Sequence, residues 1–181
     1  MALTKITGEG VGAVTNQFSS ANMPAGSSLQ VVSTTKTDTF STTAGGASPT
    51  DITGLSVSIT PSSTSNKVLV MFSVSIGASA LSTTGIRLMR GSTAISIGDA
   101  AGDRPRMTAN GAGMSANNWN AMTMATSFLD SPSSTSAVTY KLQMVGNGQA
   151  TNYVNRTGRD SNNTNEDYRA TSHITVMEIA G

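Results

Sequence analysis

Residues 51–76 read DITGLSVSITPSSTSNKVLVMFSVSI, two apolar, β-branched stretches on either side of a run of Ser, Thr, Pro and Asn. No other feature restricts the fold so strongly. In an extended chain successive side chains point to opposite faces, so Leu55, Val57 and Ile59 fall on one side and Ser56, Ser58 and Thr60 on the other. That is the pattern of a half-buried strand, and Pro61 ends it because proline has no amide hydrogen to give to a ladder. In the second stretch Val68, Val70, Phe72, Val74 and Ile76 share a face. The opposite face carries Leu69 and Met71 before turning to Ser73 and Ser75. The first end of this strand is therefore expected to be covered on both sides, and the strand to be central.

The same period of two recurs along the chain. LQVVSTTKTDTF (29–40) is Thr- and Val-rich and partly alternating. GIRLMRGSTAISI (85–97) places Ile86 and Leu88 before Gly91-Ser92 and Ile95 and Ile97 after it, a hairpin signal. WNAMTMATSFL (119–129), VTYKLQMV (138–145) and HITVMEIA (173–180) supply further strands. Two Gly-, Asn- and Ser-rich segments, 98–118 and 146–169, read as long polar loops of the sort that are functional, intersubunit or mobile. All 5 prolines fall between the apolar runs, and no stretch shows a 3.6-residue apolar repeat behind a helix cap. The expectation is an all-β domain, an antiparallel β-sandwich or jelly roll of about seven or eight strands. It spans residues 28–181. Residues 1–27, poor in large apolar side chains, form a short extended N-terminal arm for attachment.

Composition narrows the chemistry. The chain has no cysteine, which excludes disulfides and thiolate metal sites. Lys plus Arg number 11 against 10 Asp plus Glu, so nothing points to nucleic acid. No apolar run is long enough for a membrane-spanning helix, and no secretory leader is visible. Charged residues make up 12%, about half the usual share, leaving hydroxyls and amides to carry solubility. Such a surface suits a chain partly covered by copies of itself. The sequons at Asn155 and Asn162 are read as chance in so Asn- and Thr-rich a sequence.

No catalytic set is expected. His173 is the only histidine, too few for a triad or a zinc site, and is taken for a residue at a sheet edge or subunit contact. Asp99 with Asp103, or Asp160 with Glu166, offers the two carboxylates a glycosidase needs, but neither pair has an aromatic setting in the sequence. DSNNTNEDY (160–168) spaces oxygen ligands as a calcium loop does, yet Asn165 stands where the EF-hand glycine belongs and Thr171 where its closing Glu belongs. No cofactor and no metal is expected. Arg104, Arg106, Arg156 and Arg159 are candidate surface contacts, expected to meet carboxylates across a subunit interface. Trp119 is the first candidate for a glycan contact. The 10 methionines are read mainly as adaptable core filling.

QVVSTTKTDTFSTT, DITGLSVSITPSSTSNKVLVMFSVSI, RLMRGSTAI, FLDSPSSTSAVTYKLQM and the terminal HITVMEIAG, in that order, resemble a β domain of virion proteins of tailed, often marine, bacteriophages. The domain recurs at the ends of tail fibres and in phage structural proteins, and the likeness covers most of residues 29–181. MALTKITGEGVGAVTNQF resembles the short leader of such fibre proteins, although only SSANMPAGSS stands where a fibre has its long shaft. The resemblance implies a non-enzymatic, homotrimeric structural protein of the virion, held to other virion proteins by residues 1–27. It implies a tail-fibre or tip-type appendage that contacts a host-surface glycan or protein, or alternatively a capsid decoration protein or a lectin-like module. It carries no catalytic residues over.

Overall fold

The computed structural model describes residues 22–46, 48–114, 118–162 and 165–181; most of the N-terminal arm (1–21) and Asn163-Thr164 of the calcium-like loop lie outside them. Eleven strands follow in order: β1 (Ser28–Lys36), β2 (Phe40–Thr42), β3 (Thr50–Ile59), β4 (Lys67–Ala78), β5 (Ser82–Arg90), β6 (Thr93–Ile95), β7 (Ala109–Met114), β8 (Ala121–Asp130), β9 (Val138–Val145), β10 (Asn152–Val154) and β11 (Ser172–Ile179). They form two antiparallel sheets. The first, sheet A, runs β1-β11-β4, with β8 on the far side of β4 and the short β10 and β2 continuing the edge that β11 leaves. The second, sheet B, runs β3-β9-β5, with β6 and β7 sharing the outer edge of β5.

The pairing of the longer strands is nested. β1 pairs with β11, β3 with β9, β4 with β8 and β5 with β7. A hairpin ribbon of four such pairs, wrapped so that alternate pairs fall in opposite sheets, is the double Greek key of a jelly roll.

Between the sheets lies one core. Val68, Val70, Val74 and Ile76 of β4 meet Leu88 and Ile86 of β5, Leu142 and Met144 of β9, and Ile174 and Val176 of β11, all essentially without solvent exposure. Each such side chain contributes about 1.5–3 kcal/mol by leaving water. Tyr140 is buried with them, and its hydroxyl donates to Asp130 Oδ2 at 2.6 Å. Arg90 Nη1 holds both oxygens of that carboxylate, at 2.9 and 3.0 Å. Burial, with Asp130 beside it, raises the pKa of the phenol well above its ordinary value.

The alternation of β3, β4 and β9 and the hairpin at Gly91-Ser92 are as the sequence indicates, with Leu88 opposite Ile95 and Gly91 at φ 58°. Other expectations need correcting. The run 29–40 breaks at Thr37–Thr39, and its end becomes β2 on a different partner. Segments 98–118 and 146–169 are not wholly loop, since β7 and β10 lie within them. Trp119 precedes its strand, which starts at Ala121. The doubly covered end of β4 is its second half: Leu69 and Met71 are half exposed, whereas Ser75, Gly77 and Ala78 are buried. Gly77 is required there, because a Cβ would sit 2.3 Å from the Arg156 carbonyl oxygen. His173 is not at an edge, since β11 lies between β1 and β4. Asn155 is fully buried, donating through Nδ2 to the carbonyls of Lys36 and Asp38, so the folded chain cannot carry a glycan there.

Candidate functional site

The loop between β10 and β11 is folded against the outside of sheet A. Asn155 turns the chain in the left-handed region (φ 64°), and its amide nitrogen bonds to the Ser75 carbonyl at 3.0 Å. A bridge between Arg156 and Arg169 closes the neck of the loop. Asp160 reinforces that neck from inside by accepting from Arg169 at 2.7 Å and pairing with Arg156 at 3.4 Å. Arg156 also stacks on Tyr153, 4.1 Å from the ring centre. Gly158 lets the loop reach the end of β4: a Cβ there would meet the Ala78 carbonyl oxygen at 1.9 Å. The next amide, of Arg159, bonds to the Asn118 carbonyl at 2.9 Å and so ties the loop to the segment that carries Trp119.

The result is a cleft of about 360 Å³ between 119–121 and the loop, lined by Trp119, Asn120, Ala121, Thr157, Asn165, Glu166 and Tyr168. Trp119 is 42% and Tyr168 64% exposed, the two largest exposed aromatic surfaces described. Arg159 lies over the Trp119 ring at 5.4 Å and donates to Glu166 at 2.6 Å and Asp167 at 2.9 Å. Asp167 turns inward with a nearly buried side chain. It accepts from the hydroxyls of Ser161 and Thr157 as well as from Arg159. These donors, Ser161 foremost, outweigh the effect of burial and hold its pKa down to about 2. The same contacts, that with Glu166 first, raise the pKa of Arg159.

A second surface is the outer face of sheet A. The registers place Val31 opposite Met177, Met177 opposite Leu69 and Leu69 opposite Leu129, an apolar row across four strands. Val31 is 57% and Leu129 46% exposed. The next rows, Ser33–Thr175–Met71–Ser127 and Thr35–His173–Ser73–Ala125, contain no carboxylate, lysine or arginine. The outer face of sheet B differs. There Asp51 accepts from Lys141 at 2.6 Å and Gln143 at 2.8 Å, and Arg87 stands beside Gln143 on β5.

The sequence candidates divide accordingly. Arg156, Arg159 and Trp119 come together in the loop cluster, and the two arginines find their carboxylates within the chain rather than across an interface. Arg104 and Arg106 lie apart from them in an exposed turn, bonded to the carbonyls of Ala101 and Gly98. Asp99 and Asp103 are exposed in that turn. The carboxylates of the calcium-like segment are occupied by arginines and hydroxyls of the same loop, and no group of three or more metal-ligating side chains is gathered among the described residues. Glu166 does have an aromatic setting, contrary to expectation. Sequence reasoning missed Tyr168, whose only signal is an aromatic ring in a polar segment.

An all-β jelly roll with an aromatic-lined cleft at one end and a charge-poor outer face on sheet A is the class these features define. No helix among the described residues is long and apolar enough to cross a membrane. No family model matches the chain, and no curated protein does. Solved structures similar to it include that of infectious bursal disease virus, Gx strain, at 15% identity and a TM-score of 0.41, covering 85% of this chain and 43% of that one. A mutant VP2 protein of the same virus, from derived T=1 particles, aligns at 15% identity and a TM-score of 0.40 over 83% of this chain and 40% of its own. The chain thus spans about two fifths of the length of these structures. The assignment of the fold rests on the strand order itself.

Proposed function

We propose that the chain is a non-enzymatic structural subunit of a bacteriophage particle that associates with copies of itself through the outer face of sheet A. The observation that carries this is the charge-poor face, bordered by Lys67 alone, with its apolar row Val31–Met177–Leu69–Leu129. Contiguous exposed apolar surface marks an interaction site, and Val31 and Leu129 give this row its open ends. With one lysine at its border such a face meets its own copy with little repulsion, and closed symmetric assemblies are the common outcome. The phage-like segments of the sequence support the virion setting, and jelly rolls are much used in capsid and lectin domains, although a fold alone assigns no function.

In its finer form the assembly is a trimer, built in the host cytoplasm and held in the virion by the N-terminal arm as a tail-fibre or tip-type appendage. The alternative is a decoration protein on the capsid. Sedimentation of the full chain tests the self-association. Wild type is expected as a trimer and the Val31→Lys, Leu129→Lys double variant as a folded monomer. A monomeric wild type at concentrations of about 100 μM, or a double variant that assembles normally, defeats the proposal. Removing residues 1–21, which leaves the bonds of Gly26 and Ser27 to Ala180 intact, is expected to preserve the trimer and abolish its incorporation into particles. Protein copy number in purified virions separates tail from capsid: tens of copies for an appendage, hundreds for a decoration protein.

A further inference from the structure

We propose that the cleft between Trp119 and Tyr168 binds a neutral saccharide. A pyranose presents two kinds of surface, C–H faces that lie well on an aromatic ring and a rim of hydroxyls that both donate and accept. The cleft offers both. Trp119 and Tyr168 supply open ring surface, and Asn120, Asn165 and Glu166 supply amide and carboxylate groups around it, with buried Thr157 in the wall. Its volume, about 360 Å³, is of the size that small-molecule sites have. A flat hydroxylated ring suits it better than a quaternary ammonium, which is held by a cage of aromatics rather than by two.

The cleft is also held in shape before any ligand arrives. Arg159 stacks at Trp119 while pairing with Glu166 and Asp167, and the Tyr168 hydroxyl donates to the Asn165 carbonyl at 3.0 Å. A rigid aromatic platform loses little freedom on binding, which favours association. Arg159 is matched by two carboxylates, which leaves no spare positive charge at the rim, so a neutral sugar is preferred to an acidic one. Hydrolysis is not part of the proposal: a glycosidase needs two carboxylates across the bond, whereas Glu166 and Asp167 are adjacent and tied to one guanidinium. One such site binds weakly, and copies in one particle would add avidity.

The site belongs to a single chain and does not depend on self-association. The full-length protein is screened on an array of neutral and acidic oligosaccharides, and each hit is titrated by calorimetry. A neutral sugar is expected to bind, Trp119→Ala and Tyr168→Ala each to weaken it tenfold or more, and Trp119→Phe to retain part of the affinity. Tyr168→Ala matters most, because it trims an exposed ring without removing the partner that Arg159 stacks on. The Val31→Lys, Leu129→Lys variant should keep the affinity per site, so loss of assembly and loss of sugar binding are told apart. No binding to the array, hits confined to acidic sugars, or wild-type affinity in both alanine variants would overturn the proposal.

Discussion

Glu178 shows what one buried charge demands in a chain that has few charges. It is 1% exposed, and its partners are neutral donors: the amides of Gln30 and Asn66 and the backbone N–H and hydroxyl of Ser62. Burial alone would raise its pKa; the donors together outweigh it and leave the carboxyl below its ordinary value. A group whose pKa falls on folding adds stability above its unfolded pKa, and loses it as pH falls through the folded one. Glu178→Gln sets an amide N–H against donors, and leaving buried donors unmatched costs about 1–3 kcal/mol. Urea unfolding at pH 7 should show a loss of that size, and the gap between variant and wild type should narrow below about pH 4, near the unfolded pKa. An equal loss at all pH values would mean that the charge is not what matters. The position was open to inspection in the sequence, since HITVMEIA puts Glu178 on the face of Ile174 and Val176. Its partners were not, because they lie on β1 and in the turn after β3.

At the scale of the element, the loop 155–170 is an ion-paired unit with the only tryptophan of the chain as its reporter. Asp167 has its pKa held near 2, so its bonds to Ser161, Thr157 and Arg159 are complete above about pH 4. They weaken as pH falls from there toward 2. Trp119 emission should be constant from pH 5 to 8 and change in that acid window. Asp167→Asn should move the signal at neutral pH toward the acid value; a flat acid titration would show that Asp167 does not position the ring. The strands that could be read from sequence are those whose alternation pays twice, in propensity and in burial, such as LSVSI and VTYKLQMV. β7, ANGAGM, could not, because Gly and Asn are weak strand formers, nor could β10, NYV, which is too short to show alternation; β7 is extended through its ladder to β5 and β10 through ladders to β4 and β2. The cleft was half legible. Trp119, Arg156 and Arg159 stood out one by one, but only the close approach of Gly77 and Gly158 to the loop and strand backbones brings them together with Tyr168.

For the whole molecule, the nested pairing sets β1 against β11, and Gly26 N–H donates to the Ala180 carbonyl at 2.8 Å while Ala180 N–H donates to Ser27 at 2.9 Å. The two ends of the domain are therefore neighbours. A circular permutant that joins residues 181 and 27 through a short Gly/Ser linker and opens the exposed turn at 98–101 should keep a cooperative thermal transition and the far-ultraviolet spectrum of a β protein. A permutant without cooperative melting would mean that this turn, not the β1–β11 pairing, organises the sandwich.

The same pairing has a consequence for how the chain is made. β11 lies between β1 and β4, so until its eight residues have left the ribosome the edges of both neighbours are bare and Val68, Val70 and Phe72 lack their cover. Until then the sheet is open, the state most prone to pair with another copy. Copies on one polysome meet in that state, so the bare edges of β1 and β4 are where a misplaced pairing would begin.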